Sequence, residues 1–348
     1  MATWRIRCIS IVSLSHGMLG EPYARHELEL GLKRLESYGV KVKFTDHALA
    51  GARYLAAHPE ARAADWLQAF RDEETDMILT AIGGDDTYRL LPYLFGNDEL
   101  KDALEQKVFL GFSDTTTNHF MLQKLGLPSF YGQAFLPDVC ELGSGMLPYS
   151  RRYFEELLAT RQIREITPSP VWYESRKAFG PDALGTVPVE HENRGFELLQ
   201  GPAVFSGTIL GGCIDTIFDY FDPTRYPDSP ALCKKYGLFP AAEDWEGKIL
   251  LLESSEEKPA PEKVRAALEH LKHRGVFEAV SGILVGQPQD LAYDQEYRAI
   301  LKETVANPDL PILCNLPVGH STPRCIMPFG VQCAVDAKKQ KLSFDWDA

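Results

Sequence analysis

Three polar residues, each at or just beyond the end of an apolar run, could together break an acyl bond. Ser113 follows Val108–Phe112, and a helix-like run, His119–Leu125, begins soon after it. A serine on a tight strand-to-helix turn has its hydroxyl pushed out at the sheet edge. There it can attack a carbonyl, and nearby backbone N–H groups can receive the oxyanion. A serine hydroxyl is a poor nucleophile at its ordinary pKa. It needs a histidine to take its proton, and the histidine needs a carboxylate to fix its tautomer. Glu253 ends the apolar run Lys248–Leu252, and His320 follows Pro311–Leu313 in the proline-bounded loop Pro317–Pro323. The chain therefore supplies one residue of each type, in the order Ser, Glu, His.

Each of these residues also has a plainer reading. Ser113 and Asp114 are ordinary N-cap types, and the local pattern alone favours a cap. Glu253 opens the acidic turn Glu253–Glu257, which alone reads as a solvated cap for the helix from Pro261. A lone loop histidine such as His320 is usually structural or exposed. His119 falls on the helix after Ser113 and is expected to pack or cap. His16, which follows the first strand, is a rival base ranked below His320. The pair Gly83-Gly84, followed by Asp85, ends another apolar run. Glycine lets a backbone approach a ligand closely, and a nearby helix start adds partial positive charge. That suits an oxyanion or a substrate carboxylate. No Gly-Lys-Ser/Thr follows, so the segment is not a phosphate-binding P-loop.

The elements that must position these residues alternate in type. Cys8–Leu14, Val40–Phe44, Met77–Ala81 and Val108–Phe112 read as strands. Ala24–Tyr38, Ala61–Glu73 and Tyr88–Leu94 read as helices. This order predicts an α/β fold whose N-terminal, mostly parallel sheet is flanked by helices, of flavodoxin or amidotransferase type. Ligands in such sheets bind beyond the carboxyl ends of the strands, where Gly83-Gly84 and Ser113 both fall. From Thr167 to Asn193 the chain is polar, proline-rich and without period, and carries Trp172, Tyr173 and Phe179. It reads as a long loop, either an interdomain linker or an active-site lid, and its aromatics favour the lid. Beyond it, Phe196–Gln200, Ala203–Ser206, Lys248–Leu252, Val280–Val285 and Pro311–Leu313 read as strands, Ile214–Tyr220 and Pro261–Arg274 as helices, and Gln332–Phe344 as a final hairpin. The division expected is residues 1–165, 166–194 and 195–348, the last a β-rich α/β domain.

Composition narrows the classes of function. The chain has 348 residues, 45% hydrophobic, with a formal net charge of -13. That length supports two domains, and that charge repels nucleic acid in the absence of a local basic patch. Seven cysteines form no CxxC pair and no cluster with zinc-ligand spacing, so buried reduced thiols, no metal and no cofactor are expected. The run Cys8–Leu14 after the segment Met1–Arg7 is too short for a membrane span, and no cleavage site follows, so a cytoplasmic location without membrane contact is expected.

Taken as an ordered set, several segments resemble a known family. They are Gly83-Gly84 with Arg89–Leu94, Gly111-Phe112-Ser113-Asp114 with Phe130-Tyr131-Gly132, and Gly207 with Leu210-Gly211-Gly212. Leu252-Glu253 and Gly319-His320 with Pro323 and Pro328-Phe329-Gly330 complete it. The chain is similar to the LD-carboxypeptidase family of serine peptidases (family S66), which also contains the microcin C self-immunity proteins. The glycine segment looks closer to the immunity branch. The resemblance implies Ser113 as nucleophile, His320 as base and then acid, and Glu253 as the residue orienting His320. It implies an oxyanion hole from the backbone N–H groups of Gly84 and Asp114, a site between two domains, and a homodimer without metal. Gly83, Asp85 and Trp172 are the expected substrate contacts, the indole stacking on a nucleobase. The expected substrate is a peptidyl- or aminoacyl-nucleotide of microcin C type, with a muropeptide tetrapeptide losing terminal D-Ala as the alternative. A non-catalytic sensor on the same fold is the rival of another class. Cys213 stands where the family often has Asn, and Glu256 and Glu257 stand where an immunity enzyme is expected to carry basic residues.

Overall fold

The computed structural model describes residues 5–347. Met1–Trp4 of the N-terminal reading and Ala348 lie outside the described residues. Strand β1 (Cys8–Val12) is buried along its whole length, as a parallel strand covered on both faces requires. It is followed by β2 (Lys41–Phe44), β3 (Met77–Thr80), β4 (Val108–Gly111) and β5 (Ser129–Tyr131). The helices Arg25–Ser37, Pro59–Arg71 and Thr116–Lys124 lie between them in sequence. These five strands pair in parallel in the order β2–β1–β3–β4–β5, the flavodoxin-like order expected from the alternating pattern. The order reverses between β1 and β3, so the loops after them open a crevice at the carboxyl edge. The helix expected at Tyr88–Leu94 is instead a 3-10 turn, Thr87–Leu90, running into a short helix, Leu91–Phe95.

The segment expected to be a structureless loop has structure. After β6 (Glu165–Ile166), strands β7 (Val171–Tyr173) and β8 (Glu190–Glu192) pair as an antiparallel ribbon, with a 3-10 turn at Pro181–Ala183. The rest of the chain adds β9 (Glu197–Gln200), β10 (Val204–Cys213), β11 (Lys248–Glu253), β12 (Gly282–Gly286) and β13 (Ile312–Leu316). Then come β14 (Met327–Phe329), β15 (Gln332–Asp336) and β16 (Lys341–Asp345). Strands β10 to β13 are parallel, and β15, β16, β6 and β9 flank them antiparallel in one eight-stranded sheet. Strand β10 runs through the glycines expected to follow it, and so reaches Cys213.

Two features bring the halves together. Strand β14, from the C-terminal part, pairs antiparallel with β5 and completes the first sheet. Phe120, on the helix after Ser113, stacks on Phe239 at 5.7 Å and lies 6.3 Å from the buried Trp245. Burying such aromatic area between the parts fixes their relation far more tightly than a linker would. All seven cysteines are free and buried, as their apolar contexts predict. Among the described residues, no helix is long and apolar enough to cross a membrane.

Candidate active site

Ser113 leaves β4 with φ +66°, a left-handed backbone that a non-glycine residue adopts at a cost of roughly 1–2 kcal/mol. The buried carboxylate of Asp114 holds that turn. Its Oδ2 accepts from Ser15 Oγ at 2.6 Å, Thr87 N–H at 3.0 Å and Thr87 Oγ1 at 2.5 Å. These bonds tie the serine turn to the loop after β1 and to the segment after the glycine pair. Gly83 packs directly on the serine. A Cβ there would lie 2.5 Å from Ser113 Cβ and 2.8 Å from Oγ, so no larger residue fits. Of the two residues whose N–H groups are the expected oxyanion donors, Asp114 follows Ser113 in the chain, and Gly84 lines the same cavity while packing against His16.

Parallel strands of the second sheet bring up the other two residues. Glu253 is the last residue of β11, and His320 lies in the loop after β13. His320 Nε2 is 3.0 Å from Ser113 Oγ, and His320 Nδ1 is 2.8 Å from Glu253 Oε2. Glu253 also accepts the His320 backbone N–H at 3.2 Å and the Tyr131 hydroxyl at 2.5 Å. With three donors on a buried carboxylate, the ring of His320 is fixed in position with a proton on Nδ1. Gly319 turns the chain with φ +86°, and a Cβ there would overlap the Glu253 carboxylate. The sequence-predicted trio is thus brought together across 207 and 67 positions of chain.

Electrostatics centre on His320. Burial alone would lower its pKa, but the carboxylates of Glu253 and Glu256 outweigh it and hold it up at about 10. Glu256 Oε2 lies 2.8 Å from Nε2, the nitrogen that faces Ser113. The same bond, acting against burial, pulls Glu256 down to about 2. His119 is the opposite case. Its nitrogens meet Ser129 Oγ at 2.7 Å and the Gly111 carbonyl at 3.0 Å, and burial pushes it down to about 4, so it packs as expected. His16 lines the cavity but makes no hydrogen bond to Ser113 among the described residues.

A cavity of about 1190 Å³ opens in front of Ser113 and His320. Segment 174–188 forms one wall, and the Tyr173 backbone N–H bonds the Thr322 carbonyl at 2.8 Å, just beyond His320. Two expected substrate contacts lie elsewhere. The Trp172 indole stacks on His191 across the β7–β8 ribbon, with centroids 4.3 Å apart, and is not among the residues lining the cavity. Asp85 faces Arg225 at 2.6 Å and Tyr226 at 2.8 Å, outside the lining, whereas Gly83 and Gly84 are part of it. The aromatic rings that do line the cavity include Tyr23, Phe112 and Phe179. Ribbon pairing decides this difference. Trp172 sits opposite His191, so its ring is taken up by its cross-strand neighbour.

Four contributors escape a residue-by-residue reading. They are Tyr131, the Asp114 carboxylate, Glu256 and Arg324. The last bonds Asp138 at 2.9 Å, the Gly319 carbonyl at 2.5 Å and the His320 carbonyl at 3.3 Å, and so clamps the histidine loop. Tyr131 belongs to a quoted motif, so position could have flagged it. Arg324 carries no local signal. Cys213 Sγ and donor atoms of Glu253 and His320 lie within 4.8 Å of one another. A cation there would have to open the His320–Glu253 bond and deprotonate a thiol that burial and Glu253 push well up.

The chain matches the model of the LD-carboxypeptidase N-terminal domain over residues 9–132 and that of the LD-carboxypeptidase C-terminal domain over residues 206–335. Its fold is similar to the crystal structure of an MccF-like protein from Streptococcus pneumoniae in complex with AMP. The TM-score is 0.97 and the identity 54%, covering 99% of this chain and all of that one. The microcin C7 self-immunity protein MccF of Escherichia coli is 24% identical over 296 residues, 83% of this chain and 79% of that protein. The murein tetrapeptide carboxypeptidase of Pseudomonas aeruginosa is 24% identical over 316 residues, covering 90% and 89%.

Proposed function

This chain belongs to the LD-carboxypeptidase family, peptidase family S66, and from that premise we propose that it is a Ser-Glu-His hydrolase cleaving the amide bond of an aminoacyl- or peptidyl-nucleotide conjugate. The observation that carries this reading is the chain of hydrogen bonds Ser113–His320–Glu253 at the floor of a cavity that also presents free aromatic faces. Ser113 Oγ attacks the carbonyl carbon as His320 Nε2 takes its proton. The oxyanion is received by the N–H groups of Gly84 and Asp114. His320 then gives the proton to the departing nitrogen, the C–N bond breaks, and the acyl group remains on Ser113. Water attacks that ester, passing its proton to His320 and on to Ser113 Oγ, and the acid is released.

Two features support a nucleotide rather than a D-Ala terminus. The Arg and Lys residues lining the cavity already face carboxylates. Arg25 pairs with Glu29, Arg176 with Glu141, Lys258 with Asp290 and Arg324 with Asp138. None is left over for a terminal carboxylate. Phe179, by contrast, is 58% exposed and projects at the cavity wall, where a base can stack. The AMP complex of the 54%-identical relative supports the same assignment.

The test is mass-spectrometric turnover of two substrates, aspartyl sulfamoyl adenosine and an LD-linked muropeptide tetrapeptide. Cleavage of the sulfamoyl conjugate is expected. Cleavage of the tetrapeptide alone would make the protein a murein carboxypeptidase instead. Phe179→Ala should raise KM for the adenosine conjugate about ten-fold and leave kcat nearly unchanged, since stacking is a binding contact kept through the reaction. Equal KM values in Phe179→Ala and wild type would remove the stacking role.

A further inference from the structure

Glu256 stands on the wrong side of His320 for a conventional triad. Glu253 already occupies Nδ1 at 2.8 Å, and Glu256 occupies Nε2 at 2.8 Å, the position that must accept the serine proton. An imidazole bonded by carboxylates at both nitrogens donates at both, so it is an imidazolium and cannot take a proton from Ser113. The ring is charged in this arrangement, and its pKa of about 10 has the same cause. Glu256 must therefore leave Nε2 before attack.

What would draw it away can be read from its surroundings. Glu256 comes from the turn after β11, lines the cavity and is exposed to it. Among the described residues its one ion-pair partner is His320. The next residues are already engaged, Glu257 with Arg225 at 3.7 Å and Lys258 with Asp290 at 2.6 Å. The nearby Arg225 guanidinium, which helps to hold the Glu256 carboxylate ionised, already faces Asp85, Asp219 and Glu257. A ligand cation at that spot would draw Glu256 off the histidine. With Nε2 3.0 Å from Ser113 Oγ, the carboxylate lies within reach of any group borne on the carbon beside an attacked carbonyl.

We propose that Glu256 is the specificity-determining residue of this site, leaving His320 Nε2 to receive an ammonium group carried next to the scissile carbonyl. Resting on the triad reading above, this narrows the substrates proposed there to aminoacyl conjugates with a free α-amino group and rejects those whose amine is acylated, peptidyl conjugates included. Seating the ammonium on Glu256 removes the negative charge that holds the Nε2 proton. That proton passes to solvent, and the neutral ring becomes the base for Ser113. An acylated amine offers no charge, so Glu256 stays on the histidine and the site stays silent.

The experiment compares wild type with Glu256→Gln, and with Glu256→Ala as a second variant, in two measurements. Glu256 is exposed, so neither change endangers the fold. The first is the rate at which a fluorophosphonate probe labels Ser113 at neutral pH. Glu256→Gln should label about ten-fold faster, because a neutral amide no longer holds the Nε2 proton. Equal labelling rates would overturn the gate. The second is kcat/KM for alanyl sulfamoyl adenosine against its N-acetyl form. Wild type should prefer the free amine by about ten- to a hundred-fold, and both variants should lose that preference, chiefly by gaining activity on the acetylated form. A preference retained in both variants would overturn the recognition. If neither conjugate is cleaved while labelling still accelerates in Glu256→Gln, the nucleotide reading fails and the gate stands.

Discussion

Ser113→Ala is expected to abolish turnover, lowering kcat by roughly a hundred-thousand-fold or more, and to leave the thermal midpoint almost unchanged. The size follows from the site geometry. Ser113 Oγ is the atom His320 Nε2 faces, at 3.0 Å, and the remaining residues can only bind and polarise the substrate. The fold is spared because the hydroxyl is not what holds the turn. The Asp114 carboxylate does that, through Ser15 and Thr87. Alanine keeps the left-handed strain at φ +66°. Ser113→Gly is expected to be equally dead but more stable, by about 1 kcal/mol, since glycine adopts that backbone freely. Thermal melts and single-turnover assays of the two variants separate the effects. Turnover in Ser113→Ala within a hundred-fold of wild type would remove the nucleophile assignment.

Glu253→Gln is expected to have the second large effect, a fall in kcat of about a thousand- to ten-thousand-fold with KM little changed. The carboxylate accepts three hydrogen bonds, from His320 Nδ1, the His320 backbone and the Tyr131 hydroxyl. An amide offers one acceptor oxygen, so it cannot face donors on both sides. It can satisfy His320 only by turning its NH2 toward Tyr131. It also supplies no charge to balance the imidazolium that forms as Ser113 is deprotonated. The loss should therefore appear in kcat rather than in binding. Glu253 is buried and is not among the residues lining the cavity. A Glu253→Gln enzyme within ten-fold of wild type in kcat would make His320 act without an orienting carboxylate.

Sequence and structure agree where a signal is local. Strands β1, β3 and β4 announce themselves because both faces are buried, which leaves apolar runs without alternation. The helix Pro261–Lys272 is legible through Val264, Ala267, Leu268 and Leu271, which share one buried face. The helices Pro148–Thr160 and Asp294–Val305 stand outside the sequence reading, although Tyr149, Tyr153 and Leu157, and Tyr297 and Leu301, recur at helical spacing. Strands β6 and β14, of two and three residues, are too short to carry any period. The β7–β8 ribbon is hidden for another reason. Its second strand is Glu190-His191-Glu192, and only pairing with Val171–Tyr173 makes it a strand.

The sequence by itself determined which residue types end which strands, and through the βαβ order it determined that Ser113 and the glycine pair share one carboxyl edge. Alternation and burial are properties of neighbours along the chain, so they survive in one dimension. Tertiary structure alone decided three things. It placed Glu253 and His320 against Ser113, put Glu256 beside Ser113 on His320 Nε2, and left Phe179 rather than Trp172 facing the cavity. Each depends on how one sheet packs on the other and on which side chain fills the space between them. A hydrogen bond reaches only about 3 Å. Whether it forms between residues a hundred positions apart is fixed by that packing, on which the spacing of the residues along the chain has no bearing.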